Sequence, residues 1–326
     1  MTRKPISRLL PGLLLAIATA ATAPMALAWT HKPVKILVPA PAGGTMDVVA
    51  RILADQISAE IGQPVIVDNK PGAGGAIAIQ AMIAAPNDGQ TLMVTASNVL
   101  TEIPHVMKTA FDPLKDVRPV ATVARAGIVL VGAPSLPAKD FKELVSYAKA
   151  HPGKLSFASY SAGTASHYSG MIFNQKAGLD LQHVPFAGSP PALTQVIGGQ
   201  ITVMFDGIVT SLPQIKGGKL LPFAVASKTR SAHLPQVPTT AELGYPDIDF
   251  SNWLGIVASA GVPADIVDKI NATTLKVAAS PKVHDRLVAV GFEPNTPLTS
   301  AQLTESVKVD FERNAAIVKA FGIKLN

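Results

Sequence analysis

The stretch from Ile36 to Asp47, ILVPAPAGGTMD, constrains the fold more than any other. An apolar, strand-like run ends in a Pro/Gly turn and breaks into a helical pattern, so a helix N-terminus is presented at a strand end. Val48, Val49, Ile52, Leu53, Ile57 and Ile61 then recur at the helical period, and Gly62 follows as a stop signal. Gly43 and Gly44 let the backbone approach a ligand closely, and Thr45 is expected to cap the helix. The first amides of such a helix face outward with the positive end of its dipole behind them, which suits an anion.

The same strand-turn-helix rhythm continues along the chain. Val65 to Val67 precedes a helical pattern at Ala76 to Ala85, and Thr91 to Ala96 reads as another strand. A second set begins after Ile128 to Val131: a helix at Lys139 to Ala150, a strand at Leu155 to Ala158, and a small-residue turn through Ser159 to Ser166. His183 to Phe186 and Ile201 to Phe205 read as strands around a helix opened by Ser189 as N-cap and Pro190. From Pro263 onward the pattern is mostly helical. This is an α/β chain of two lobes, each a mainly parallel sheet flanked by helices. No flexible linker separates them, so the segments Val120 to Val131 and Asp249 to Ala258 are expected to cross between the lobes as hinge strands.

Residues 1–28 carry Arg3, Lys4 and Arg8 without an acid, then an apolar run from Leu9 to about Ala23, then Ala26-Leu27-Ala28. This is the pattern of a secretory signal peptide, with Trp29 expected as the first mature residue. Three basic residues and no acid leave with it, so the formal net charge falls from +6 to +3. That small charge, without runs of Lys and Arg, argues against a nucleic-acid surface. There is no cysteine, so the exported chain depends on an ordinary core rather than disulfides.

Three turns between strand and helix, Pro41 to Asp47, Ser159 to Ser166 and Phe186 to Pro191, are lined by Gly, Ser and Thr. Any one is ordinary in an α/β protein; together they suggest a polar, anion-accepting cleft at the strand ends. The run Asn69-Lys70-Pro71-Gly72-Ala73-Gly74-Gly75 lacks both the dinucleotide and the Walker spacing, and reads as a tight turn that lets a helix pack closely. Ser166 adjoins His167 without the elbow motif of a hydrolase, and the seven histidines offer no metal-ligand spacing. No catalytic residue, metal or cofactor is therefore assigned. Asp47 and Asp206 are the acids nearest the expected cleft. Asp47 is open to a ligand role or to complementing its helix dipole, and Asp206 to a ligand contact or a structural turn into Gly207.

The leader, KPVKILVPAPAGGTMDVVARILADQISAEIGQPVIVDNKPGAGG and PNDGQTLMV resemble the substrate-binding proteins of tripartite tricarboxylate transporters, the Bug family. ASYSAGTASHYSGMIF, FAGSPPALTQVIGGQITVMFD and NWLGIVASAGVPADIVDKIN extend the resemblance over essentially the whole mature chain. It implies a periplasmic protein of the type II-like two-lobed fold, with residues 29–125 plus 253–326 in one lobe and 126–252 in the other. It implies a monomer, without catalysis, that closes over a small organic acid and delivers it to the membrane subunits of a transporter. By motif, it points to Ala42, Gly43, Thr45, Asp47, Ser97 and Asn98 in the first lobe, and to Ser161, Thr164, Ala187, Gly188 and Asp206 in the second.

Three positions depart from the family pattern: Ala42 in place of a second proline, Met171 where an acid commonly follows the histidine, and Ala187 in place of a cation. Without a cation at Ala187 the case for a second or third ligand carboxylate weakens. The alternatives are a periplasmic sensor or scavenger that signals to a membrane receptor, and an exported hydrolase using Ser166.

Overall fold

The computed structural model describes residues 29–294 and 297–323, and the leader proposed at residues 1–28 lies outside them. The first half contains β1 (Val34–Val38), α1 (Thr45–Ile61), β2 (Val65–Asn69), a 3₁₀ turn at Ala73–Gly75, α2 (Ala76–Ile83), β3 (Thr91–Ala96) and the short α3 (Asn98–Thr101). β4 (Val117–Gly132) then leads to the second half, with α4 (Phe141–Ala150), β5 (Leu155–Ser159), α5 (Ala165–Ala177), β6 (Leu181–Pro185), α6 (Ser189–Ile197), β7 (Val203–Gly207), α7 (Ile208–Lys216) and β8 (Leu221–Val225). The chain returns through β9 (Ser251–Ser259) and finishes with α8 (Ala264–Ala279), α9 (Pro281–Ala289), β10 (Glu293–Pro294) and α10 (Ser300–Phe321).

The strands follow the order β2-β1-β3-β9-β4-β7-β5-β6, with β8 and β10 also on β4. Parallel pairing is confined to the outer strands: β1 lies parallel to β2 and β3, and β5 to β6 and β7. Where the chain crosses and returns, pairing is antiparallel. Residues 117–127 of β4 pair with β9, and residues 128–132 pair with β7. β4 therefore changes partner between Gly127 and Ile128, and this is the seam between the halves. β9 begins at the seam, with Ser251 opposite Gly127, and pairs only within the first half. Register shifts near Pro119 and Thr122 bend β4 along the way.

Each half buries apolar side chains on both faces of its sheet. Val49, Ile52, Leu53 and Ile57 carry the periodic stripe of α1 into the first-half core, and Phe157, Phe173, Phe205 and Tyr168 dominate the second. α10 belongs to both. Leu303 and Val307 pack in the first half, whereas Ile317, Val318 and Phe321 rest against the core of the second. A capping box between Thr299 and Gln302 starts this 22-residue strap. α4 starts two residues later than its apolar pattern suggests, because the Asp140 carboxylate accepts the Glu143 N–H at 2.8 Å and caps the helix there.

Candidate functional site

A cavity of about 320 Å³ lies between the halves. Pro39–Pro41, Gly44–Met46, Gly72–Gly75, Asn98, Val99, Ile103 and Met107 wall it from the first half; Tyr160–Ala162, Thr164, Pro185–Ser189 and Gly207 face them from the second. Ala126, Ile128, Asn252 and Leu254 close it at the seam. No charged side chain is among its walls.

The N-terminus of α1 opens onto this space. Gly44, in extended conformation, is its N-cap, and Thr45 is the first helical residue, so the cap expected at Thr45 falls one residue earlier. The Thr45 hydroxyl is thereby left facing the second half, where a Cβ built on Gly207 would lie 2.9 Å from it. Among the described residues no acceptor takes the Thr45 or Met46 amide. Asp47 stands behind the loop and is buried. Its carboxylate accepts the Gly43 N–H at 2.8 Å, the Arg51 Nε–H at 2.9 Å and the Asn69 Nδ2–H at 2.9 Å. Burial pushes the Asp47 carboxyl up, but these three donors outweigh it and hold the group below its ordinary range. Asp47 thus shapes the loop without lining the cavity, and Gly43, whose amide it takes, does not line it either. Ala42 is also absent from the walls.

Beside this loop, Asn98 lines the cavity, whereas Ser97 sits behind it. The Ser97 hydroxyl donates to Asn252 Oδ1 at 2.7 Å, which leaves the Asn252 amide nitrogen as a donor on the cavity wall. Gly72–Gly75, read from sequence as a packing turn, is also part of the wall. Gly75 adopts φ +93°, and a Cβ there would meet Val99 Cγ1 at 2.8 Å. The tight turn is real, and it also exposes main chain to the site.

In the second half, Ser161 and Thr164 line the cavity, but their hydroxyls are turned to backbone: Thr164 Oγ1 donates to the Ser161 carbonyl at 2.7 Å, and Ser161 Oγ to the Ala162 carbonyl at 3.2 Å. The amides at the start of α5 are mostly spent. The Gly163 N–H donates to His167 Nδ1 at 3.1 Å, the Ala165 N–H to the Glu102 carboxyl, and the Ser166 N–H to the Tyr160 hydroxyl. His167 is consequently neutral and stacks on His183 with ring centroids 4.0 Å apart. Burial, with His183 alongside, pushes its pKa down to about 3. Ser166 is buried and donates to the Phe205 carbonyl, so the adjacent pair is engaged in holding the helix start.

The Ala187–Gly188 turn faces the loop that leads into α1, where Pro41 lies against Gly188. Gly188 has φ +120° and serves as the N-cap of α6, a role the sequence suggested for Ser189. The Ser189 hydroxyl instead donates to Asp206 Oδ1 at 2.6 Å. Asp206 is fully buried and also accepts from Thr210 at 2.6 Å and Ser211 at 2.7 Å. Burial pushes its carboxyl up against the pull of these donors. Like Asp47, it organises a loop from behind and does not line the cavity. Among the described residues the Ala187 and Ser189 amides have no acceptor.

Glu102 joins the two halves beside the cavity without lining it, and nothing in the sequence marked it. It follows α3 in the first half, yet its carboxyl accepts from Ala165 and its carbonyl accepts from the Tyr168 hydroxyl at 2.8 Å, both in α5 of the second. Burial raises its pKa from the ordinary 4.5 to about 8. A carboxyl raised by folding binds its proton more tightly in the folded chain, so its stabilising contribution is complete below pH 4.5 and is lost as pH rises towards 8. We therefore expect Glu102→Gln to gain a few kcal/mol over wild type at pH 8 and nothing at pH 4.5. Urea melts across that range check this, and parallel stability curves would contradict it.

Among the described residues there is no cluster of three or more His, Asp or Glu able to hold a metal ion, and no helix long and apolar enough to cross a membrane.

The model of the tripartite tricarboxylate transporter family receptor matches residues 49–323. Protein BugT of Bordetella pertussis is 33% identical over 98% of this chain and 99% of its own length. Among solved structures, the periplasmic binding protein BugD superposes with a TM-score of 0.85 at 31% identity, covering 91% of this chain and all of that one. The R. palustris protein Rpa4515 with adipate superposes with a TM-score of 0.87 at 30% identity, with the same coverage. With its two α/β lobes meeting over this cavity, the chain belongs to the tripartite tricarboxylate transporter receptor family, the Bug family of solute-binding proteins.

Proposed function

We propose that this protein is a periplasmic receptor that captures a small organic carboxylate between its lobes and delivers it to the membrane subunits of a tripartite transporter. The observation that carries the reading is the pair of facing loops. The Thr45 and Met46 amides at the N-terminus of a 17-residue helix look across an uncharged cavity at the Ala187 and Ser189 amides. Oriented N–H groups with a helix dipole behind them hold a carboxylate without a side-chain cation. The relative that holds adipate supports a carboxylate as the ligand class. Residues 1–28 act as the export signal, and the mature protein works as a monomer. Ligand contacts made by both lobes favour the closed form, which the membrane partner reads.

A thermal-melt screen across small carboxylates, followed by uptake measurements in cells with and without the gene, tests this. An acid at 100 times its Kd is expected to add about 2.7 kcal/mol of stability. The same acid should be recovered unchanged, and its uptake should fall when the gene is deleted. Unchanged uptake would leave binding intact but overturn delivery.

A further inference from the structure

The walls of the cavity carry more information than the loops that open onto it. Beside the two amide-bearing loops, the apolar part of the wall is formed by Met46, Val99, Ile103, Met107, Ile128 and Leu254. Besides Asn252, whose amide nitrogen is a free donor at the seam, one further side-chain amide interrupts this apolar surface. Asn98 is 2% exposed and lines the cavity, and its Oδ1 is buried without any partner. A buried acceptor left unpaired is costly, so a ligand that brings a donor to it is favoured over one that does not.

The donors left for anions are few. In the second lobe the Gly163, Ala165 and Ser166 amides are consumed within the chain, and the Gly188 N–H is held by the Tyr160 carbonyl at 2.8 Å. Pro190 and Pro191 deprive the first turn of α6 of two further N–H groups. Arg51, the cation that follows the α1 loop, is tied to Asp47 and Asn69 behind it, and none of the cations close to the walls in sequence, Lys70, Lys108 and Arg125, lines the cavity. One carboxylate is provided for. A second would meet hydrocarbon and the neutral Asn252 amide but no cation, and a charge placed there is strongly disfavoured.

We infer that the cavity takes an organic acid with a single carboxylate on an apolar body, and that Asn98 selects for a hydrogen-bond donor on that body. This rests on the carboxylate-capture reading and narrows it. The test is calorimetric titration of the mature protein with benzoate, the three hydroxybenzoates, 4-methylpentanoate, adipate and malate, repeated with Asn98→Ala and Asn98→Leu.

The expected result is that one or more monocarboxylates bind at least about tenfold more tightly than adipate and malate. At least one hydroxybenzoate should bind more tightly than benzoate, and that preference should vanish in both variants, the hydroxybenzoate losing more affinity than benzoate. Adipate or malate binding as tightly as the monocarboxylates overturns the inference and leaves carboxylate capture standing. A hydroxybenzoate preference that survives both substitutions overturns the role of Asn98. If no acid on the panel binds, both the inference and the capture reading fail.

Discussion

Gly188→Ala is expected to abolish tight carboxylate binding and to cost the unliganded fold about 1–3 kcal/mol. At φ +120° and ψ 169° Gly188 occupies a region essentially reserved for glycine, at a strain of about 1–3 kcal/mol for any other residue. The added Cβ would also lie 2.5 Å from Pro41 Cγ and 2.6 Å from Cδ, across the gap between the lobes. The proline ring is fixed in its own turn and cannot rotate away as a flexible side chain would. The clash lies across the cleft, so it penalises any form in which Pro41 and Gly188 approach as they do in this structure. A penalty of about 3 kcal/mol on that form raises Kd roughly 100-fold. Calorimetry together with a thermal melt checks both halves of the expectation. Wild-type affinity in the variant would mean that Pro41 and Gly188 do not approach each other when ligand is held.

Asp206→Ala is expected to cost about 3 kcal/mol of stability and to weaken ligand binding as a consequence. The substitution removes the acceptor for three buried or half-buried hydroxyls, those of Ser189, Thr210 and Ser211. Thr210 keeps the Gly207 carbonyl as a second acceptor at 3.0 Å, so Ser189 and Ser211 suffer most. Ser189 opens α6, and its release frees the Ala187–Gly188 turn that faces the ligand. Asp206→Asn retains one acceptor oxygen and should fall between wild type and alanine in urea denaturation. If Asp206→Ala melted like wild type but bound no acid, the carboxyl would be a ligand contact rather than an organiser of its loop.

The architecture was legible because it is written in local periods. The apolar stripe of α1, the strand runs and the glycine stops all lie within a few residues of one another, and packing only ratifies them. The loops that form the site were legible for the same reason, as Gly, Ser and Thr between strand and helix. Their internal bonding was not. Thr45 and Ser189 look like caps, but the preceding glycines take the cap geometry, leaving the Ser189 hydroxyl to Asp206 and the Thr45 hydroxyl facing Gly207. The two aspartates stood out as acids near the cleft. That Asp47 answers Arg51 and Asn69, and Asp206 answers Thr210 and Ser211, depends on which face of a turn each side chain takes.

Long-range contacts were beyond the reach of any local pattern. Glu102 meets Ala165 and Tyr168 some sixty residues away, and Asn252 is set by Ser97 across 155 positions. The two-lobe role of α10 was hidden likewise, since its amphipathic stripe shows a buried face but not that the face spans two cores.

The central claim is that main-chain amides of both lobes hold one carboxylate. It is tested most directly by a ¹H–¹⁵N titration of the labelled protein with the tightest acid found by calorimetry. The amide signals of Thr45, Met46, Ala187 and Ser189 are predicted to move together and saturate at one equivalent, with the signals of Ala165 and Ser166 much less affected. Shifts confined to one lobe, or centred on lysine and arginine side chains, would contradict it.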